Sequence, residues 1–459
     1  MGDTVKSRVR TRNVILGIVL ALVVIGAGYT MVSRYLASRP SLDYAMAEPA
    51  VKNVDGYPSA RFAVMSDLHY YDTSLGTTGA SFEEVLGSDR KLLKETAGLL
   101  DLAIDDILAS GVEFVLIPGD LTKDGEVVNH DDVATALSRL SDAGVQTYVV
   151  PGNHDANNPE AFEFDGDRKI PVAAVTQTEF PELYNDFGYG DAILRDEGTS
   201  RYVAEPVDGL WLLALDSTRS EENEPGGEEV TAGAFTQEQV AWIEQVLKDA
   251  QAQNKSVICM MHHGVVEHWK GQAKLHPEYL VADYPYVGEL LASYGVRLVF
   301  TGHYHAQDVA RADYGDSGFI YDIETGSLAT APCPVRYCDL GGQKLAIDSA
   351  MIVDELRPGT DFGSKARDFV LATIASEAFD VSRGYKVSEV DSQYIAENVA
   401  PAFVAHYNGD EDPSEEVAVD TGELSLWGKF IWSQQVYVVD GLWVDVEPGD
   451  NDVVLELAE

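Results

Sequence analysis

The chain has 459 residues, with 76 Asp and Glu against 32 Lys and Arg, a formal net charge of -44 and 45% hydrophobic residues. Such acidity repels phosphate polymers and disfavours a general DNA or RNA binder, because non-specific affinity of that kind is built on clustered Lys and Arg. Aromatic and β-branched residues are plentiful and no long low-complexity tract occurs, which excludes disorder over most of the chain; the length predicts one large domain with an extension, or two domains.

The charge is unevenly distributed. A basic leader over residues 1–12 carries Lys6, Arg8, Arg10 and Arg12 against Asp3. From Val14 to Val32 there are nineteen residues without a charge, enough for one membrane-spanning helix, which needs about 20 residues. Fewer cations follow the run (Arg34, Arg39) than precede it, which places the amino terminus inside and the body on the extracytoplasmic face. The expected order is a leader (1–12), a transmembrane signal anchor (13–32) and a linker (33–59) of mixed Ser, Ala, Pro and charge. The alternative is a secreted protein cleaved near Ala45-Met46-Ala47, although the apolar run is longer than the roughly 7 to 15 residues of a signal-peptide core. Cys259 reads as a buried small hydrophobe. Cys333 and Cys338 are compatible either with free thiols or with a short-loop disulfide, which an external compartment permits.

From Arg61 onward, short apolar runs alternate with longer amphipathic stretches. The runs are Phe62 to Met65, Phe114 to Ile117, Thr147 to Val150, Leu210 to Leu215, Val257 to Met261 and Leu298 to Phe300. Lys91 to Ala109 and Thr236 to Lys248 carry helical spacing. This alternation predicts a layered α/β domain over residues 60–333. After Pro334 the pattern changes. Lys365 to Phe379 and Gln393 to His406 read as helices, the second kinked or split at Pro401, and Gln435 to Asp440 alternates as a strand would. Residues 334–459 are therefore expected to form a smaller mixed α+β extension. Its Trp427, Trp432 and Trp443 read as core residues rather than as a cap over a site.

Five apolar runs end in residues able to bind metal ions: Asp67-Leu68-His69, Gly119-Asp120, Gly152-Asn153-His154-Asp155, His262-His263 and Gly302-His303-Tyr304-His305. Each alone is weak evidence, since such residues also make ordinary turns. Together they matter, because ligand sites in layered α/β sheets gather beyond the carboxyl ends of the strands. Asp67 with His69, and His303 with His305, are two apart and project to one side if the backbone stays extended. The donors are all nitrogen and oxygen, which favours Mn, Fe or Zn in a reactive site over a structural zinc. Their number exceeds what one ion takes and suits two ions with a shared carboxylate.

In this order the motifs resemble the calcineurin-like metallophosphoesterase superfamily, whose fold is a layered α/β/β/α sandwich. They cover residues 65 to 305. The resemblance implies Asp67, His69, Asp120 and His305 on one metal ion, and Asp120, Asn153, His262 and His303 on the other, with Asp120 bridging. It further implies two ions per chain, Mn or Fe with Zn as a possible occupant, and hydrolysis of a small phosphate ester by a bridging hydroxide whose pKa the ions lower. The contexts Gly119-Asp120-Leu121-Thr122, Val150 to Asp155 and Gly302 to Asp308 resemble most the class III cyclic nucleotide phosphodiesterase branch.

His154 adjoins the ligand Asn153 and is the expected general acid or hydrogen-bond donor to the leaving oxygen; the bland reading is a turn histidine at a helix entrance. Phosphoprotein phosphatases of the superfamily carry an Asp three residues after the bridging aspartate to pair with this histidine. Here Lys123 holds that position and Asp124 comes next, so the support for His154 is open. Purple acid phosphatases place a metal-ligating Tyr at the same offset, so their type of iron site is not expected. Of the His262-His263 pair, the first is the expected ligand and the second faces the substrate or supports the site from behind. Asn157, Asn158, His130 and Tyr304 are candidates to line the pocket, and Asp216-Ser217 to cap a turn. The function these readings predict is phosphodiester or cyclic nucleotide hydrolysis, with a broad phosphomonoesterase or nucleotidase as the alternative. A non-catalytic binding module on the same scaffold is the rival of a different class.

Overall fold

The computed structural model describes residues 56–87, 89–409, 411–412, 420–444 and 448–458. In chain order the elements that build the domain are β1 (Tyr57–Val64), α1 (Thr96–Ser110), β2 (Phe114–Ile117), α2 (Val127–Asp142), β3 (Gln146–Val149) and a hairpin of β4 (Phe162–Asp165) and β5 (Arg168–Pro171). Next come β6 (Leu194–Arg195), β7 (Tyr202–Val207), β8 (Leu210–Leu215), α3 (Gln237–Ala252), β9 (Ser256–Met261), α4 (Tyr284–Ser293) and β10 (Leu298–Thr301). The chain then runs through β11 (Asp308–Asp313), β12 (Phe319–Glu324), β13 (Pro334–Gly342), β14 (Lys344–Met351), α5 (Phe362–Gly384), α6 (Glu389–Asn408), α7 (Leu426–Leu442) and β15 (Val453–Glu456).

Two mixed sheets share one core. The first has the order β15-β14-β13-β1-β2-β3 and the second β11-β12-β10-β9-β8-β7-β6. Within them β1, β2 and β3 run parallel, as do β8, β9 and β10, and their buried, uninterrupted runs such as Phe-Val-Leu-Ile fit strands covered on both faces. Phe62 of β1 stacks on Phe114 of β2 and meets Phe300 of β10 edge-on at 5.4 Å, joining the two sheets. Helix α1 begins at Thr96, five residues after the expected Lys91, and α3 runs four residues past the expected Lys248, but both carry clear local end signals. Thr236 and Gln239 form a reciprocal capping box at the start of α3, and Gly111 ends α1 in the left-handed conformation.

The expected boundary at 333/334 falls inside the first sheet. Strand β13 pairs antiparallel with β1, and β14 and β15 extend the same sheet. The pairing covers an edge of β1 that would otherwise expose a row of unpaired backbone groups. Beyond β14 the chain forms three helices, α5 to α7, and returns to the first sheet as β15, so residues 334–459 are of mixed α+β composition but their strands complete the first sheet. Gln435 to Asp440, read from sequence as alternating, is helical. The buried Trp432, Val438, Val439 and Leu442 are spaced as one helix face, and the Tyr-Val-Val run mimics a strand only locally. Helix α6 runs unbroken through Pro401. Losing one backbone bond there is offset by burial of Ala396, Ala400 and Ala402 on the same helix.

Buried contacts of His268 and His406 with carboxylates link this helical cap to the second sheet. His268 contacts Asp308 of β11 at 2.5 Å, and His406 of α6 contacts Glu411 at 2.6 Å and Asp308 at 3.7 Å. The three thiols of Cys259, Cys333 and Cys338 are buried and free. Among the described residues, no helix is long and apolar enough to cross a membrane; the expected leader, anchor and cleavage motif fall outside the described residues.

Candidate dinuclear metal centre

All five ligand-bearing clusters leave the carboxyl ends of parallel strands: Asp67 and His69 after β1, Asp120 after β2, Asn153 after β3, His262 after β9, and His303 and His305 after β10. The departures are sharp. Asp67, His69, Asp120, His303 and His305 all have positive φ, between 38° and 78°, so the expected extended pairs are not extended. Left-handed backbone at non-glycine residues costs on the order of 1–3 kcal/mol each and is held only where the surroundings enforce it. Here they do: His303 N donates to both Asp67 oxygens at 3.1 Å, and Ser327 Oγ donates to Asp67 O at 2.7 Å. Gly152 and Gly302 let the loops close in, because a Cβ on Gly152 would strike Asp120 and one on Gly302 would strike Ser66 and Asp67.

The result is two groups of donors sharing one carboxylate. In one, Asp67, His69, Asp120 and His305 bring a ligand atom each within 4.8 Å of one another; in the other, Asp120, His262 and His303 do the same. Asn153 joins the second group, its Oδ1 lying 3.0 Å from His262 Nε2. His69 Nε2 and His305 Nε2 face each other at 3.0 Å, while Asp120 Oδ2 lies 3.5 Å from His69 Nε2 and 3.3 Å from His262 Nε2. His303 Nε2 is buried without a hydrogen-bond partner. Converging nitrogens and carboxylate oxygens of this kind fit two cations with nitrogen and oxygen donors. The charges agree. Burial would raise the Asp120 carboxyl, but the imidazoles of His262, His154 and His69 hold it well below the usual range, while burial keeps the His69 and His303 imidazoles neutral. His305 is likewise held down by burial, against the pull of Asp67. His262 departs from this pattern: burial pulls its imidazolium down, but the Asp120 carboxylate outweighs burial and raises it to about 9, so a cation binding there would displace its proton.

His154 stands against this centre. Its backbone N–H donates to Asp120 Oδ1 at 3.0 Å and its Nε2 lies 4.0 Å from Asp120 Oδ2. Its Nδ1 lies 2.9 Å from Asp124 Oδ1 and 3.2 Å from Glu229 Oε2. The carboxylate missing at position 123 is thus supplied one residue later, since the turn carries Asp124 under the ring while Lys123 pairs with Asp124 from the side. Burial pulls the His154 imidazolium down, but the carboxylates of Glu229 and Asp120 and the bond that its Nδ1–H donates to Asp124 outweigh it and the opposing Lys91, raising it to about 10.

Other sequence candidates fall in varied places. Both ring nitrogens of His263 are engaged away from the centre, by Ser217 Oγ at 2.8 Å and Thr231 O at 2.9 Å. Ser217 therefore holds His263, while Asp216 caps the turn at Thr218. His130, expected near the pocket, is buried beside Phe180 and Tyr184 and binds Asp155 O at 2.8 Å; its side chain stabilises the loop from behind. Asp155 accepts from Leu121 N, Thr122 N and Gly152 N, bracing the loops after β2 and β3 against each other. Asn158 bonds Glu229, and Tyr304 lines the pocket. Glu229, Arg90, Lys91 and Tyr279 also line this cavity of about 270 Å³ and were not legible in the sequence. Lys91 reads in sequence only as the start of a helical stretch, Tyr279 ends a short 3-10 helix, and only the spatial convergence of the four marks them.

The profile of the calcineurin-like phosphoesterase family matches residues 60–307, more than half of the chain and a span that includes all seven candidate ligand positions. The chain belongs to this family. The phosphoesterase is accordingly a hydrolase acting on phosphoric ester bonds. No curated protein matches the chain significantly. Solved structures similar to the phosphoesterase include a dimetal phosphatase from Danio rerio, 19% identical, with 64% of this chain and 96% of that one covered and a TM-score of 0.45. A purple acid phosphatase from seeds of yellow lupin (Lupinus luteus) is 13% identical, with 66% and 53% covered and a TM-score of 0.37. A putative 5'-nucleotidase from Staphylococcus aureus is 14% identical, with 68% and 58% covered and a TM-score of 0.38.

Proposed function

We propose that this phosphoesterase hydrolyses phosphodiesters, cyclic nucleotides among the candidate substrates, from an extracytoplasmic position to which the segment over residues 13–32 anchors it. The observation that carries the reading is the joint placement of Asp120 between two donor groups and of His154 against it. Asp67, His69, Asp120 and His305 would hold one ion, and Asp120, Asn153, His262 and His303 the other, with Mn, Fe and Zn as the candidate metals. Bound there, the ions would supply Lewis acidity, polarising phosphoryl oxygens and acidifying water. The residues themselves do the rest. Asp124 and Glu229 fix the His154 ring through Nδ1, which leaves Nε2 as the atom that protonates the leaving oxygen.

Charge favours a diester. The cationic side chains lining the pocket are Arg90, Lys91 and the His154 imidazolium; Arg90 is paired with Glu377 at 3.2 Å, Lys91 lies 3.5 Å from Asp89, and His154 Nδ1 lies 2.9 Å from Asp124. Little uncompensated positive charge remains in the wall, so a singly charged diester is matched better than a doubly charged monoester. The test uses the full chain in phosphatidylcholine nanodiscs with Mn. Expected are two ions per chain and a kcat/KM for bis(p-nitrophenyl) phosphate at least tenfold above that for p-nitrophenyl phosphate, with 3′,5′ and 2′,3′ cyclic nucleotides as further arms. Faster monoester turnover would overturn the substrate reading, and full turnover by a folded Asp120→Asn variant would overturn the site.

A further inference from the structure

A second cavity, of about 370 Å³, lies beneath the helical cap and shares Arg90, Tyr279 and Tyr304 with the catalytic pocket. Its walls come from all three cap helices, with Ile374 and Ala378 of α5, Val399 and Phe403 of α6, and Trp432 and Val438 of α7. The polarity is graded. Arg90, His276, Glu278 and Glu377 stand at the catalytic end, and the rest of the lining is dominated by apolar side chains. Along α5 the cavity runs from Glu377, which pairs with Arg90, to Tyr385 at the helix end. Eight residues of helix span about 12 Å.

At the far end lies most of the exposed apolar surface of the cap. The carboxyl end of α5 and the amino ends of α6 and α7 meet there: Trp427 Nε1 donates to Tyr385 O at 3.0 Å, and Ser425 N donates to Asp391 Oδ1 at 3.2 Å. Val381, Tyr385, Val390, Leu426, Trp427 and Phe430 are exposed at this convergence, Leu426 at 88% and Val390 at 79%. Val381 and Tyr385 belong both to the patch and to the cavity lining. The lining of this cavity thus extends from the surface patch to residues that also line the catalytic pocket. Large exposed patches of this kind mark interaction surfaces rather than ordinary solvent-facing residues.

We infer that the phosphoesterase acts on amphiphilic phosphoesters, whose acyl or isoprenoid chain occupies the cavity under α5, α6 and α7 while the phosphate sits at the metal centre. This deepens the diesterase reading and rests on it for the site of the headgroup. A cavity about 12 Å long accommodates a chain of roughly nine or ten carbons. Each buried methylene contributes about a three- to fourfold gain in affinity. Arg90, at the junction, lies where the polar head of such a molecule would meet the chain. The grading of the lining from charged to apolar matches the grading within an amphiphile.

The test uses the full chain in nanodiscs and a series of p-nitrophenyl alkyl phosphodiesters from methyl to dodecyl, with citronellyl and farnesyl esters distinguishing isoprenoid from acyl chains. The expected result is a kcat/KM that climbs severalfold per added carbon and levels off near ten carbons. In Val399→Phe and Val438→Phe, which fill the cavity from two helices, the dodecyl-to-methyl ratio falls at least tenfold. Binding is read separately with alkylphosphonates by thermal shift, dodecylphosphonate stabilising the protein at concentrations at least 100-fold lower than methylphosphonate. Turnover with a flat chain-length profile, or a gain that survives in both variants because the bilayer merely concentrates the substrate, overturns the inference. Chain-length-dependent phosphonate binding without diester turnover upholds the cavity's role and sinks the diesterase reading. Absence of both sinks both.

Discussion

Replacing Asp124 by Asn separates a positioned acid from a bystander histidine. The Asp124 carboxylate lies 2.9 Å from His154 Nδ1 in a buried setting, and Asn keeps its shape and an acceptor oxygen while removing the charge. A hydrogen bond to a charged partner contributes about 1.5–3 kcal/mol, which corresponds to about 10- to 150-fold in rate when the bond is fully expressed in the transition state. Glu229 holds the same nitrogen from 3.2 Å, so the loss falls toward the lower end, about 10- to 30-fold. It is also selective. An alkyl leaving oxygen needs a proton as its bond breaks and carries the full penalty, whereas a nitrophenolate needs little and loses less than about threefold. Asp124 also pairs with the buried Lys123, and breaking such a pair costs on the order of 3–5 kcal/mol of stability. The rates are therefore compared after urea unfolding has fixed the folded fraction. The assay is kcat/KM for matched aryl and alkyl diesters in the wild type, Asp124→Asn, His154→Ala and the double variant. The double variant is expected to match His154→Ala alone. An equal penalty for both leaving groups, or losses that multiply in the double variant, would refute the assignment of Asp124 as the positioning residue and His154 as the acid.

The geometry dictates three further outcomes. Gly302→Ala, whose Cβ would strike Ser66 and Asp67, lowers metal affinity at least tenfold in calorimetric titration while unfolding remains cooperative; wild-type affinity would show that the loop yields. The His130 imidazole is pushed down to about 4 by burial, against the bond to Asp155 O. The folded state thus refuses a proton that the unfolded chain accepts near 6.5, and stability is fully present above pH 6.5. It falls by about 3 kcal/mol as pH drops to 4; urea midpoints across this range should slope less in His130→Gln, and equal slopes would contradict the linkage. Because all three thiols are free and buried, a thiol reagent labels none in the native protein and three after denaturation without reductant, whereas a single labelled thiol would reveal a Cys333–Cys338 bond.

The ligand motifs were legible in the sequence because a parallel strand delivers its terminal side chains to one end of the sheet whatever the rest of the fold does. An apolar run ending in Asp, Asn or His therefore marks the site locally. The same locality explains the misreadings. The Val-Tyr-Val-Val run in α7 alternates over a few residues, and only its burial against α5 and α6 shows the helical face. The extended geometry expected for Asp67/His69 and His303/His305 gave way to left-handed backbone because the loops fold back on Asp67, a contact 236 residues apart in the case of His303.

By itself the sequence marked the six central strands β1, β2, β3, β8, β9 and β10, the candidate donors beyond their ends and the placement of Asn153 beside His154. These depend on chemistry carried by short segments. The tertiary structure alone decided that Asp124 rather than residue 123 supports His154, that Glu229 reaches the site from a distant loop, and that β13 and β14 complete the first sheet. It alone also placed three cap helices around a largely apolar cavity beside the candidate metal centre. Each of these is a meeting of residues far apart in the chain, fixed by which surfaces are buried together. No local pattern of charge or hydropathy encodes such a meeting.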